Sequence, residues 1–266
     1  MEIKIKHLFF CLLFGMLAFA SCQKNSADIS IPNKPVVVGY LIPGQPISVK
    51  VYQQKALDDT ATYGAVITGL SLKLSDGSQT VTLTESAKGT YTYSDAFLTT
   101  GKTYTLQFTY QNALVSAQTV LPAKPVNYTA TKTLINLPTG TGSPNSVDSV
   151  ADTFRWNNPD SLYHVLVFKN DETAPFQVSG RGTPLVNFTV NVNKTSEYQI
   201  YYRSFNYIGT YRAILYGVNK EYIDLLNAQS GSSSQNLTNI PTNVNNGLGI
   251  FTAMQADTIK LTLTQY

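Results

Sequence analysis

The chain has 266 residues, 43% hydrophobic and 13% charged, with a formal net charge of +3. The apolar share can fill a core, so the composition is not that of a disordered chain. Charged residues are about half as common as usual and form no basic run, which leaves nucleic-acid binding without electrostatic support. Tyr (17 residues) and Thr are plentiful, and such residues favour strands.

Lys4 and Lys6 form a short basic head, Leu8 to Ala20 is an almost unbroken apolar run, and Ala20 and Ser21 precede Cys22. This order predicts a secretory signal peptide over residues 1–21. Its apolar run of about 13 residues is short of the roughly 20 that span a bilayer. Phe19-Ala20-Ser21-Cys22 resembles the bacterial lipobox, with Phe19 where Leu is usual. The resemblance implies a lipid thioether on Cys22, cleavage before it and acylation of its new amine. Several acyl chains on one residue anchor stably, since each buried CH₂ contributes about 0.8 kcal/mol. The alternative is an ordinary signal peptide with a coincidental Cys. The two cysteines are Cys11 and Cys22. With Cys11 cleaved away and Cys22 lipidated, no thiol is left for a disulfide or a cysteine metal site. Residues 22–34 read as a polar tether, which leaves open whether the body faces the periplasm or the cell surface.

A first folded region is expected over residues 35–122. Val36 to Ile42 is a continuous apolar run, and Ile42-Pro43-Gly44-Gln45 predicts a type II turn. Ile47, Val49 and Val51 alternate with polar residues, as do Leu70, Leu72 and Leu74 across a long polar loop. Asp76-Gly77 predicts a hairpin turn, with Val81 and Leu83 on the return strand. Tyr91 and Tyr93 mark another strand; Tyr104, Leu106, Phe108 and Tyr110 share a face of the next, and Gln111-Asn112 turns back to Leu114 through Leu121. About seven short strands with regular turns predict an immunoglobulin- or fibronectin-like β-sandwich. Tyr104, just after the Gly101 turn, is placed for a tyrosine corner.

A second antiparallel β domain is expected over residues 123–266, making the chain all-β with two tandem sandwich-like domains. Its strand-like segments are Val126 to Leu134, Asp152 to Trp156, Ser161 to Phe168, Val186 to Val192, Tyr198 to Arg203 and Tyr211 to Tyr216. A loop rich in Pro, Gly, Ser and Asn spans Pro138 to Ser149. One short helix follows Asn219 as N-cap, with Glu221 in its first turn and Tyr222, Leu225 and Leu226 on one side. A last strand alternates Ile259, Leu261 and Leu263.

Gly101 to Pro122, Pro241-Thr242-Asn243 and Gly247-Leu248-Gly249-Ile250-Phe251, behind the lipobox, give a further resemblance. The chain resembles the Bacteroidota lipoprotein family catalogued as domain of unknown function 4249. Phe154 to Asp160 matches the family pattern loosely. The resemblance implies an outer-membrane lipoprotein with an accessory role in nutrient capture beside a TonB-dependent transporter. It brings no catalytic residue and no cofactor.

The residues themselves point away from catalysis. After residue 21 the one histidine is His164, inside a strand-like segment, where a structural role is expected. No GxSxG, phosphate-binding glycine loop or metal-ligand spacing is present. Asp58-Asp59 and Asp171-Glu172 are adjacent loop carboxylates, read as solvated charges rather than an acid and base across a glycosidic bond. Trp156, Tyr201, Tyr202, Phe205 and Tyr207 are candidates for a platform that stacks on a small ligand or glycan, since Tyr201 to Tyr207 falls where strands turn. Asp59-Thr60-Ala61 and Asp148-Ser149-Val150 look like short O-glycosylation signals, with Thr60 and Ser149 as acceptors. The expectation is a non-enzymatic ligand-capture or transporter-accessory lipoprotein. The alternative is a structural or adhesive surface protein, with a glycan-active enzyme the more distant reading.

Overall fold

Two-residue periodicity becomes strands along most of the chain. The computed structural model describes residues 33–55, 60–94, 97–138, 149–178, 185–230 and 241–265. The first eight strands are β1 (Pro35–Leu41), β2 (Ile47–Gln53), β3 (Lys73–Ser75), β4 (Thr80–Thr82), β5 (Thr84–Ala87), β6 (Thr90–Tyr93), β7 (Thr103–Tyr110) and β8 (Ala113–Val120). They pair in the orders β1-β2-β6-β5 and β8-β7-β3-β4. In immunoglobulin lettering these are A-B-E-D and G-F-C-C′, so the sandwich topology follows from strand order alone. Val37, Val49, Val51 and Tyr91 on one sheet share a buried core with Leu74, Leu106, Phe108 and Val115 on the other.

The local signals act as expected. Gln45 N–H donates to the Ile42 carbonyl at 3.1 Å and closes the first turn. The Asp76 carboxylate accepts from Ser78 and Gln79 N–H in the β3–β4 turn and pairs with Lys102 at 2.7 Å. Gln111 and Asn112 both have positive φ, as the two-residue β7–β8 hairpin requires. Tyr104 forms the tyrosine corner: its hydroxyl donates to the Phe97 carbonyl at 3.0 Å and accepts from Thr99 N–H at 2.6 Å.

The remaining strands are β9 (Val126–Ala130), β10 (Leu134–Leu137), β11 (Val150–Asn157), β12 (Tyr163–Asn170), β13 (Phe188–Asn193), β14 (Glu197–Tyr201), β15 (Gly209–Val218), β16 (Val244–Asn245) and β17 (Leu248–Gln265). A helix, α1 (Lys220–Ser230), follows β15. Strands β14-β11-β9 make a small sheet, and its Phe154, Trp156 and Ile200 share a second core with Leu166, Phe168, Tyr211 and Leu261. Strand β12 is apolar on both faces: Leu166 and Phe168 join that core, while Val165 packs with Val218, Ile223 and Met254 under α1.

The last strand departs from expectation. Its alternation places it in the second region, around Ile259 to Leu263. It starts at Leu248 and runs 18 residues, about 60 Å at 3.3 Å per residue. Its first part pairs in parallel with β1, from Val36↔Leu248 to Leu41↔Ala253. Its later part pairs antiparallel with β15, from Val218↔Met254 to Gly209↔Leu263, and in parallel with β10. The result is one nine-stranded sheet that runs through both regions. Residues 34–266 accordingly cluster as one compact unit. The sequence hides this because Ile250 to Met254 are all buried, and a strand covered on both faces loses its alternation.

The helix stands where expected, with two differences. Asn219 does not cap it with its side chain; Nδ2 donates instead to Thr119 Oγ1 and the Val120 carbonyl, across to β8. The deepest residue of α1 is Ile223, flanked by Tyr222 and Leu226 rather than by Leu225.

Candidate ligand cleft

Between the two cores the chain passes through Pro122 to Pro125, held onto the shared sheet. Gln255 Nε2 donates to the Pro122 carbonyl at 2.7 Å, and Lys124 pairs with Asp257 at 3.3 Å. A Cβ on Gly217 would lie 2.8 Å from the Ala123 carbonyl oxygen, so a glycine lets the linker rest on β15. Facing it is the β11–β12 loop, ordered by one side chain. Asn158 Nδ2 donates to the carbonyls of Leu162, Lys194 and Thr195, and its Oδ1 accepts from Leu162 N–H at 2.8 Å.

Linker and loop line an open-sided cavity of about 200 Å³. Pro125, Val126, Pro159 and Leu162 supply apolar walls, and Lys124, Asp160 and His164 supply charge and polarity. His164 is 1% exposed. Its Nδ1 lies 3.1 Å from the Leu162 carbonyl. A carbonyl only accepts, so Nδ1 carries the proton and Nε2 the lone pair. Burial, opposed by that hydrogen bond, holds the imidazole below its ordinary pKa, which keeps it neutral. Trp156 stands beside it, ring centroids 5.6 Å apart, and its buried indole N–H has no hydrogen-bond partner among the described residues.

The aromatic residues singled out from sequence do not form one platform. Trp156 and Phe205 are core rings, each 3% exposed. Phe205 lies edge-on to Phe168, Phe188 and Tyr211. Tyr201, Tyr202 and Tyr207 are half-buried. Tyr201 carries the Arg203 guanidinium over its ring, Tyr202 packs against the second core, and Tyr207 forms a β-bridge with Gln177. That bridge brings in a residue the sequence did not suggest, Phe176, 67% exposed beside it. Asp171 pairs with Arg212 at 2.8 Å and Glu172 accepts from Thr210 N–H, so these carboxylates tie β15 to its neighbouring loop. Thr60 and Ser149 are exposed. Cys22, Asp58, Asp59 and Asp148 lie outside the described residues. Among the described residues no three His, Cys, Asp or Glu side chains gather as a metal site, and no helix is long and apolar enough to cross a membrane.

The profile of a family described as "Domain of unknown function (DUF4249)" matches residues 25–260. The chain belongs to this family. No curated protein matches it. Among solved structures, the crystal structure of chicken CNTN1 FN1-FN3 domains is similar at 11% identity, over 86% of this chain and 67% of that one, with a TM-score of 0.29. In this DUF4249 chain the motifs that carried the resemblance are structural. Asn243 brackets Phe251, accepting from its N–H at 3.0 Å and donating to its carbonyl at 2.6 Å, while Nδ2 also reaches the Gln118 carbonyl. Gly249 has φ +94°, and a Cβ there would lie 2.1 Å from the Val37 carbonyl oxygen. These residues seat the start of β17 against β1 and β8. The cleft was missed because its parts, Lys124 to Val126 and Asn158 to His164, are far apart in sequence. The visible signal was that both are proline-bearing breaks at the ends of apolar strands.

Proposed function

We propose that the chain is a non-enzymatic, lipid-anchored outer-membrane protein that captures a small ligand as the accessory partner of a TonB-dependent transporter. The observation that carries ligand capture is the cleft, where a neutral, buried His164 faces a small cavity with apolar walls. Its Nδ1 donates to the Leu162 carbonyl, which fixes the tautomer and leaves Nε2 as a hydrogen-bond acceptor for a ligand. The Lys4 to Cys22 segment, with its basic head, apolar run and lipobox-like end, supports the envelope location.

The test is recovery of the native tagged protein in gentle detergent, with partners identified by mass spectrometry. A TonB-dependent transporter in near-equal amount is the expected result, and recovery of the chain alone refutes the partnership. Cys22→Ala is expected to release the protein from membranes or block its processing; normal processing with full membrane retention refutes the anchor. A structural or adhesive role is the second reading, favoured by Phe176 and Leu185, which are 67% and 75% exposed.

A further inference from the structure

We propose that the cleft between the linker and the β11–β12 loop binds a small, mainly apolar ring compound carrying a hydroxyl donor, which His164 Nε2 accepts. This rests on the ligand-capture reading and names the ligand class for it.

Three observations select the class. The walls are largely Pro125, Val126, Pro159 and Leu162, which suit the flat faces of a ring and offer no side-chain hydrogen bonds. At the buried end, His164 has Nδ1 on the Leu162 carbonyl and, among the described residues, no partner on Nε2. A neutral imidazole in that tautomer takes a donor there and rejects an ionised carboxylate, whose oxygens only accept. The cavity of about 200 Å³ lies below the range of about 300–1,000 Å³ for drug-sized ligands, so it has room for about one ring.

The same features argue against a sugar. A hexose carries several hydroxyls, and here most would face apolar walls. The Asn158 amide is committed to Leu162, Lys194 and Thr195 and Lys124 is paired with Asp257, which leaves the exposed Asn157 and Asp160 to meet a sugar's several hydroxyls. Each hydroxyl desolvated without a partner weakens binding about tenfold. The stacking platform envisaged from sequence would favour glycans, but Trp156 is buried behind His164 rather than presented to solvent.

The chain has one tryptophan, and its ring stands 5.6 Å from that of His164. Trp156 emission therefore reports occupancy. The probes are cyclohexanol, methoxycyclohexane and methyl α-D-glucoside, none of which absorbs with tryptophan. Cyclohexanol is expected to change the emission saturably. Methoxycyclohexane, the same ring with an acceptor only, is expected to bind at least tenfold more weakly, and the glucoside not at all. His164→Phe is expected to remove the preference for the alcohol over the ether. Val126→Phe, at a residue 55% exposed on the cleft wall, puts a ring into the cavity while His164 itself is kept, and is expected to abolish the response, so the test stands even if His164→Phe fails to fold. No saturable response to cyclohexanol up to 100 mM overturns the proposal. So does equal binding of the ether, tighter binding of the glucoside, or an unchanged response in Val126→Phe. Transporter recovery with the Val126→Phe protein is measured separately, so a wrong ligand class is distinguishable from a wrong partnership.

Discussion

Tyr104→Phe tests how the two cores are joined. The substitution keeps the ring, which is fully buried in the first core, and removes only the hydroxyl. Two hydrogen bonds are lost, to the Phe97 carbonyl at 3.0 Å and from Thr99 N–H at 2.6 Å. Each has a net worth of about 0.5–1.5 kcal/mol. Thr99 is exposed and Phe97 half-buried, so water can reach the freed N–H more readily than the freed carbonyl. The expected loss is about 2 kcal/mol, or about 1 M in urea midpoint for a slope near 2 kcal/mol/M. The probe matters as much as the size. Trp156 lies in the second core, on a different sheet and in a different region from Tyr104. Since β17 is hydrogen-bonded to β1 and to β15, both cores should unfold in one transition. The Trp156-monitored midpoint should then fall by the same amount as the midpoint from circular dichroism. A fall in dichroism with Trp156 emission unmoved would refute the coupling through the shared strand.

Gly249→Ala combines a positive φ with a Cβ 2.1 Å from the Val37 carbonyl oxygen; a loss of more than about 2 kcal/mol is expected in urea melts, and a smaller one would mean the β1–β17 contact gives way easily. Phe205→Ala should cost about 3–5 kcal/mol because the ring is core, whereas Tyr201→Ala, at a half-buried site, should cost under about 1 kcal/mol; equal losses would contradict the burial described. Burial holds His164 below its ordinary pKa, so the unfolded chain takes up a proton before the native one. Stability from this group is therefore complete above about pH 6.5 and is lost as pH falls towards the folded pKa. Asp152, pushed up mainly by burial, acts in the opposite sense. The contribution of His164 is isolated by comparing wild type with His164→Phe from pH 5 to 8; parallel profiles would refute it.

Much of the fold was legible residue by residue. Alternation at Ile47 to Val51 and Tyr104 to Tyr110, the pair Gln111-Asn112 and the position of Tyr104 each encode a local geometry that tertiary contacts left intact. Where the sequence misled, burial was two-sided or contacts were distant. Ile250 to Met254 shows no alternation because both faces are covered, so the period of the last strand is visible only from Ile259. Trp156, on a strand, and Phe205, among turn residues, suggested surface rings, yet aromatic content does not reveal which face of a strand or turn meets the core. The cleft required two breaks, some 35 residues apart in sequence, to be brought together by β15 and β17, and no local pattern records that.

The long shared strand also sets an order of events. β1 is made early and pairs on one side with β2, but its other side waits for Leu248 to Ala253, more than 200 residues later. A chain emerging N-terminus first therefore carries an open, apolar sheet edge through nearly all of its synthesis or translocation. Such an edge recruits other strands. The first sandwich can nucleate from its own local hairpins, but it is sealed only when the far end of the sequence arrives, so shielding of Val36 to Leu41 during that interval governs how much of the protein reaches its final form.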